Sequence, residues 1–302
     1  MEDIMKEYMD QEKLKVVKER DGFIAALDQS GGSTAKTLEK YGITSDQYSN
    51  EEEMFECIHE MRKRVFTSPV FTKEHILGSI LFYKTMESKV EEKYTADYLW
   101  EDKGIVSFLK VDKGLSEEEN NVKCMKEIPD LEEQLRVARE RHVFGTKMRS
   151  VIYGANREGI KQVVKQQFEF AKIISDNGLV PIIEPEVDIN IPDKKEAEEI
   201  LKEEIINVLN SWDKNDLIMF KFTIPTVANL YEDLYNYPCV VRIVALSGGY
   251  ETDEACKLLK ENNRMIASFS RALLQNLYAY QTEEEFNQEL SHAIKEIYEA
   301  SI

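Results

Sequence analysis

Eight short, almost continuously apolar runs are spaced along this chain of 302 residues, and longer polar stretches separate them. Runs of this length and composition are typical of parallel strands that are buried on both faces. We predict strands over 22–27, 76–82, 105–110, 142–148, 179–184, 217–222, 240–246 and 265–269. Strand and helix patterns that alternate eight times predict an α/β fold, a (β/α)8 TIM barrel. A doubly wound sheet is the alternative, although the GxGxxG fingerprint of dinucleotide-binding members is missing.

Apolar residues recur at helical spacing in the stretches between most of these runs. We predict helices over 52–65, 131–140, 159–177, 194–209, 229–236, 251–261 and 283–299. The segment 1–20 is polar and helix-prone, and no linker rich in Pro, Gly or Ser follows it. We therefore expect one TIM-barrel domain over 1–302, with residues 1–20 as an N-terminal helical extension.

Composition excludes several classes of function. The net charge of −18 disfavours binding to nucleic acid or to an acidic membrane surface. No apolar run reaches the ~20 residues that a membrane-spanning helix needs. The four cysteines form no CxxC, and the four histidines form no HxxxH or HExxH. We therefore expect reduced thiols, a cytoplasmic location and no metal site built from histidines.

Three lysines, Lys110, Lys147 and Lys221, interrupt the apolar runs of three different predicted strands. Lysine is rarely buried, and loss of hydration lowers the pKa of an ammonium group until it becomes a nucleophile near neutral pH. Such a lysine can form a Schiff base with a carbonyl substrate. We interpret Lys221 as the nucleophile and Lys147 as a neighbouring cation.

Carboxylates at other strand ends are candidates for proton transfer. Glu184 and Glu186 flank a proline, and alternate residues of an extended segment point the same way, so both can face the barrel lumen. A carboxylate among lysines and apolar walls can be tuned as an acid or a base. Asp28 can accept a proton from a substrate hydroxyl. A structural salt bridge to a lumen lysine remains the alternative for Glu184. Capping of the next helix, or orienting Ser30, remains the alternative for Asp28.

Two groups of residues suit anionic phosphate. Barrels frequently bind phosphate with the loops after strands 7 and 8, where this chain has Ser247, Gly248, Gly249, Ser268 and Arg271. Glycine lets backbone N–H groups approach an anion, and arginine is a permanently charged donor. A simple glycine turn with a surface arginine is the alternative.

A second group, Lys110 with Ser30 and Ser33, can hold another phosphate across the barrel mouth. The two serines also suit a turn or a helix N-cap, which is the alternative for them. An anionic small molecule is therefore the expected partner.

The segments that carry these residues are similar to those of class I fructose-1,6-bisphosphate aldolase, especially its bacterial branch. The matching segments are ALDQSGGS at 26–33, LKVDKG at 109–114, GTKMR at 145–149, VPIIEPE at 180–186, Lys221, LSGG at 246–249 and FSRAL at 269–273. They occur in family order from about residue 20 onward, and together they are a specific signal.

This resemblance implies reversible cleavage of fructose 1,6-bisphosphate to dihydroxyacetone phosphate and glyceraldehyde 3-phosphate, with no cofactor and no metal. It implies a Schiff base on Lys221, acid–base roles for Glu184, Glu186 and Asp28, and substrate positioning by Lys147. The remaining implied contacts are with substrate and its phosphates: Arg149 beside Lys147, Ser247, Gly248, Ser268 and Arg271 at the C1 phosphate, and Ser30, Ser33 and Lys110 at the C6 phosphate. The chain departs from the family at Ser270, where animal-type members have glycine.

Two other functions remain open at this point. One is another Schiff-base lyase or transferase of phosphosugars that uses the same lysine. The other is a catalytically inactive barrel that serves as a scaffold. The sequence also leaves open whether the chain forms a homo-oligomer.

Overall fold

The computed structural model describes residues 10–302, and its centre is a ring of eight parallel strands. The strands are β1 Phe23–Leu27, β2 Ile76–Leu81, β3 Val106–Lys110, β4 Gly145–Ile152, β5 Val180–Val187, β6 Ile218–Thr223, β7 Val240–Leu246 and β8 Met265–Ala267. Their order in the sheet follows the chain. The backbone N–H of Ala26 donates to the carbonyl oxygen of Phe269 at 3.5 Å and closes the seam between β8 and β1. The predicted TIM barrel is therefore confirmed.

Helices surround the barrel. They are α1 Gln11–Glu19, α2 Gly32–Tyr41, α3 Glu51–Thr67, α4 Tyr83–Glu87, α5 Thr95–Glu101, α6 Leu131–Glu140, α7 Arg157–Asp176, α8 Lys194–Leu209, α9 Thr252–Leu259, α10 Arg271–Leu274 and α11 Glu283–Glu299. Across residues 10–302, no helix combines the length and the apolar character that crossing a bilayer requires. Two minor features lie outside the ring: a ribbon of Lys89–Val90 with Lys93–Tyr94, and the strand Val122–Lys123, which is antiparallel to β4.

The prediction of a helix over 229–236 is wrong. The segment contains only a short 3-10 turn, Glu232–Asn236. Asn229 has φ of 64°, in the left-handed region, and an α-helix cannot begin through such a residue. Its backbone N–H donates to Asn262 Oδ1 and its side chain accepts from the N–H of Asn263, so contacts with the loop before β8 fix this conformation.

Helix α1 closes the N-terminal end of the barrel. Asp10 caps the helix by accepting from the N–H groups of Glu12 and Lys13. Val17 is fully buried in the apolar cluster that fills the lumen. Arg242 on β7 donates to the carbonyl oxygens of Val17 and Arg20, which the end of the helix leaves unpaired. The predicted N-terminal helix therefore exists over Gln11–Glu19, and residues 1–9 lie outside the described residues.

The lumen is packed around Phe108, a buried side chain of β3. A Cβ built on Gly145 of β4 would lie 2.2 Å from the carbonyl oxygen of Val180 and 2.9 Å from the Phe108 ring. Only glycine allows β4 to approach these groups so closely. This contact sets the position of β4 two residues before Lys147.

Candidate active site

A layer of polar side chains lies directly above the apolar filling of the lumen. Side chains alternate along a strand, so a residue two positions beyond a lumen residue faces the same space. The lumen cluster contains Ala26, Phe108, Ile182, Met219 and Ile266. Two positions beyond each of these, in the same order, the chain carries Asp28, Lys110, Glu184, Lys221 and Ser268. Lys147 joins them because it is in register with Lys110.

Glu184 lies between two lysines in this layer. Its Oε1 is 3.1 Å from Lys221 Nζ, and its Oε2 is 3.1 Å from Lys147 Nζ. Lys147 Nζ also lies 2.8 Å from Asp28 Oδ2. Glu184 and Lys147 are each 3% exposed and Lys221 is 4% exposed, so these charges are shielded from water and interact strongly.

The charges shift the pKa values of their partners. Burial lowers the pKa of Lys147, but Asp28 and Glu184 outweigh burial and the net shift is upward. Burial raises the pKa of Asp28 and of Glu184, but Lys147 and Lys221 outweigh it, so both carboxylates titrate below their usual range. Lys147 therefore stays a cation despite its burial, because two carboxylates stabilise its charge.

Arg149 and Glu186 form a second ion pair at the wall of the site. Arg149 Nε lies 2.5 Å from Glu186 Oε2, and Arg149 is in register with Glu184 on the neighbouring strand. The predicted placement of both glutamates toward the lumen agrees with this geometry. Glu186 is therefore paired with Arg149, whereas Glu184 is paired with Lys147 and Lys221.

At the mouth of the barrel, Lys110 contacts Ser30. Lys110 Nζ donates to Ser30 Oγ at 3.0 Å and lies 3.1 Å from Asp112 Oδ1. Asp112 Oδ2 is 3.8 Å from Lys147 Nζ, so this carboxylate links the two lysines. Ser33 accepts from the N–H of Ser30 and donates to its carbonyl oxygen, which is the turn that the sequence leaves open as an alternative.

The loops after β7 and β8 also line the mouth. Ser268 Oγ is buried and has no hydrogen-bond partner within residues 10–302, so a ligand can take up its bonding capacity. Gly248 has φ of 63°, and a Cβ there would lie 2.9 Å from Ile189 Cγ2, which explains the glycine. The ion pair between Arg271 Nη1 and Glu251 Oε1 is long, at 3.9 Å, and exposed to solvent. Such a pair is weak, so the Arg271 guanidinium is available to bind an anion.

One cavity of about 1020 Å³ connects these groups. All predicted site residues except Gly249 line it: Asp28, Ser30, Ser33, Lys110, Lys147, Arg149, Glu184, Glu186, Lys221, Ser247, Gly248, Ser268 and Arg271. Gly249 shapes the same loop with φ of 122° but does not face the cavity. Volumes of several hundred to ~1,000 Å³ are typical of small-molecule sites. Within residues 10–302, no three His, Cys, Asp or Glu side chains form a metal-binding group.

Sequence reasoning missed the roles of Asp112, Gln29 and Arg62. Asp112 and Gln29 line the cavity, and fully buried Arg62 lies behind it. A sequence signal existed for Arg62, because it lies four residues after Ile58 and three before Val65 on the apolar face of α3. A charged residue at such a position needs a buried partner.

Lysines and carboxylates meet at the C-terminal ends of the strands of a TIM barrel, which is where enzymes of this fold carry their active sites. The fold and the site therefore define the chain as a TIM-barrel enzyme. The sequence model of the family described as "Glycolytic: Fructose-bisphosphate aldolase class-I" matches residues 9–224. The chain belongs to the class I fructose-bisphosphate aldolase family. This membership supports a lyase that works through a lysine Schiff base.

Solved structures agree in fold. The fructose-bisphosphate aldolase of Plasmodium falciparum superposes with a TM-score of 0.76 at 20% identity, over 99% of this chain and 95% of that one. A protein of Corynebacterium glutamicum superposes with a TM-score of 0.56 at 12% identity, over 99% and 95% of the two chains. At these identities the likenesses support the fold alone.

Proposed function

We propose that this chain catalyses the reversible cleavage of fructose 1,6-bisphosphate to dihydroxyacetone phosphate and glyceraldehyde 3-phosphate through a Schiff base on Lys221. The observation that carries the proposal is the contact of 3.1 Å between Lys221 Nζ and Glu184 Oε1 in the cavity. This contact pairs an amine with a carboxylate that can accept and return its proton. Family membership supports the same chemistry.

Schiff-base formation begins when Glu184 accepts a proton from the Lys221 ammonium. The neutral amine attacks the C2 carbonyl carbon, and the π electrons of the carbonyl move to its oxygen. One proton then passes from the attacking nitrogen to this oxygen and gives the neutral carbinolamine. Glu184 then returns its proton to that hydroxyl, which leaves as water and yields the iminium. The lowered pKa of Glu184 keeps the carboxylate ionised before the first transfer, although it also makes this group a weaker base.

Carbon–carbon cleavage needs a base at the C4 hydroxyl, and we propose Asp28 for this role. As Asp28 removes that proton, the C4–O electrons form the aldehyde and the C3–C4 pair moves into the iminium to give an enamine. Lys147 lies 2.8 Å from Asp28 and holds its pKa low. We propose that Lys147 turns toward a substrate oxygen, which weakens this ion pair and makes Asp28 a stronger base. Glu186, which lines the same cavity as Glu184 and is paired with Arg149, is a second carboxylate for proton exchange.

Two phosphate sites support a bisphosphate substrate. We assign the C1 phosphate to Ser247, Gly248, Ser268 and Arg271, with Gly249 shaping the loop. We assign the C6 phosphate to Ser30, Ser33 and Lys110. Both groups line one cavity together with Lys221, and two anion-binding groups in one cavity favour fructose 1,6-bisphosphate over a sugar with one phosphate.

We also propose that the reaction requires no metal and belongs to glycolysis or gluconeogenesis in the cytoplasm. The iminium itself accepts the electron pair that cleavage releases, so the chemistry needs no Lewis acid. All four cysteines are free thiols, which is compatible with a reducing compartment.

Borohydride trapping tests the proposal. The protein is incubated with dihydroxyacetone phosphate or fructose 1,6-bisphosphate in the presence of EDTA, reduced, and mapped by mass spectrometry. A triose-phosphate mass on Lys221 is expected. An adduct on Lys147 or Lys110 would keep the Schiff-base chemistry but overturn the assignment of the nucleophile. No adduct and no cleavage of either sugar would favour an inactive barrel, and adducts with other phosphosugars only would favour a different lyase or transferase.

A further inference from the structure

Ser270 is held by a side chain from the loop on the other side of the barrel seam. Gln29 Nε2 donates to Ser270 Oγ at 2.5 Å and to the carbonyl oxygen of Ala26 at 3.1 Å. Gln29 follows β1 and Ser270 follows β8, and both line the cavity. The hydrogen bond therefore joins two loops that carry candidate phosphate-binding residues: Ser30 and Ser33 after β1, and Arg271 after β8.

Arg62 fixes the orientation of the Gln29 amide from behind. This fully buried guanidinium donates from Nη2 to the Gln29 carbonyl oxygen at 2.5 Å and to Gln29 Oε1 at 3.3 Å. Its Nη1 donates to Thr85 Oγ1 at 2.7 Å. A guanidinium can only donate and a backbone carbonyl can only accept, so the amide oxygen must face Arg62 and the amide nitrogen must face Ala26 and Ser270.

The direction of the Ser270 hydroxyl follows from this orientation. A serine hydroxyl has one proton to donate and two lone pairs to accept with. Because Gln29 must donate, Ser270 Oγ accepts, and its own proton has to point elsewhere. Within residues 10–302 no acceptor receives that proton. It is available to the cavity, next in the chain to Arg271 and two residues from the unpartnered hydroxyl of Ser268.

We propose that the Ser270 hydroxyl donates a hydrogen bond to the phosphoryl group of the substrate held at Ser268 and Arg271, and that Gln29 and Arg62 are positioning residues for it. The identity of that phosphoryl group as the one on dihydroxyacetone phosphate rests on the proposed function. In this arrangement a side-chain donor, oriented before the substrate arrives, contributes to binding of the anion.

The test uses two substitutions that separate donation from packing. Ser270→Ala removes the hydroxyl. Gln29→Glu keeps the shape of the side chain but replaces its donor by an acceptor. The carboxylate stays paired with Arg62 and receives the Ser270 proton, which turns the hydroxyl away from the cavity. The new charge in Gln29→Glu repels a bound phosphate whether residue 270 is serine or alanine. The reorientation of the Ser270 hydroxyl weakens binding only when Ser270 is present, so the double variant separates the two effects.

The measurements are the dissociation constants of dihydroxyacetone phosphate and of inorganic phosphate for the wild type, Ser270→Ala, Gln29→Glu and the double variant. We expect each single substitution to weaken both ligands about tenfold, because hydrogen bonds to charged groups are among the strong ones. We expect the effect of Gln29→Glu to be much smaller in the Ser270→Ala background. Ser270→Thr, which keeps the hydroxyl, should bind dihydroxyacetone phosphate within about threefold of the wild type.

Dihydroxyacetone, which lacks the phosphate, is the control ligand. Its rate of borohydride-trapped addition to Lys221 should be the same in the wild type and Ser270→Ala. Unchanged binding of both phosphate ligands by Ser270→Ala would overturn the proposal. An equally large drop in the rate of dihydroxyacetone addition would also overturn it, because that result indicates a structural role for Ser270. If the wild type forms no Lys221 adduct while Ser270→Ala still weakens inorganic phosphate, the proposed reaction fails and the assignment of Ser270 stands.

Discussion

Lys221 Nζ and Glu184 Oε1 lie 3.1 Å apart on neighbouring strands of the barrel, both almost completely buried. The second oxygen of Glu184 faces Lys147, so one carboxylate serves two ammonium groups. A carboxylate shared in this way stays ionised. If its contact with Lys221 is lost, its charge is still paired with Lys147. This is the arrangement that a lysine nucleophile needs at the moment when it loses its proton.

Replacement of Lys221 by methionine should abolish the covalent adduct and reduce kcat by about four orders of magnitude or more, because the electron sink is lost. The protein should remain folded, since Glu184 keeps its contact with Lys147. Mass spectrometry after borohydride reduction measures the adduct. Lys113→Met is the control, because Lys113 lies at the cavity and pairs with Asp130 at 2.8 Å. That variant should form the adduct normally, and an adduct in Lys221→Met would contradict the assignment.

Replacement of Lys147 by methionine should destabilise the protein by about 3–5 kcal/mol, because it leaves Asp28 as a buried charge without its ion-pair partner and leaves Glu184 with only Lys221. Urea unfolding measures the free energy. Asp28→Asn combined with Lys147→Met should recover part of this loss, since the unpaired charge is then absent. If the two substitutions are simply additive, the ion pair does not carry the coupling inferred from its geometry.

The barrel could be predicted from sequence because each strand is a nearly continuous apolar run, and such runs signal burial on both faces. The helices α2, α4, α5 and α10 were not predicted, since they are short or polar and depend on packing against the barrel. The error at 229–236 has a local cause: the left-handed Asn229 is fixed by partners more than thirty residues away. Tertiary contacts of this kind leave no local pattern.

The candidate site was predictable for the same reason as the fold. Lys110, Lys147 and Lys221 are conspicuous only because the residues around them are apolar. Asp112 was missed because an acidic residue after a strand has many ordinary explanations, and its contacts with two lysines appear only in three dimensions. The direction of the Lys147 pKa shift could not be predicted either, since burial alone would lower that pKa and only the neighbouring carboxylates raise it.

The stability of the protein should fall in acid partly through Asp28. Its pKa is lower in the folded protein than in the unfolded chain, so its contribution is present above the unfolded value of about 4 and is lost as pH falls below it. Unfolding free energies from urea titrations at several pH values measure this. The wild type should be more stable than Asp28→Asn at pH 7, and the difference should shrink as pH decreases below 4. A difference that does not change with pH would contradict the assignment.

The position of β4, and with it Lys147, should depend on the absence of a side chain at Gly145. Gly145→Ala places a Cβ 2.2 Å from the carbonyl oxygen of Val180, and neither this backbone atom nor the packed Phe108 ring can move cheaply. We expect a loss of about 1–3 kcal/mol in the free energy of unfolding, together with weaker activity, because β4 must shift away from β5.

Gly32→Ala is the control, since a Cβ there meets nothing within 4 Å and Gly32 does not have positive φ. Its unfolding free energy should stay within about 0.5 kcal/mol of the wild type. Equal stabilities of the two variants would show that β4 has room to shift, and that the register of Lys147 is not set by this contact.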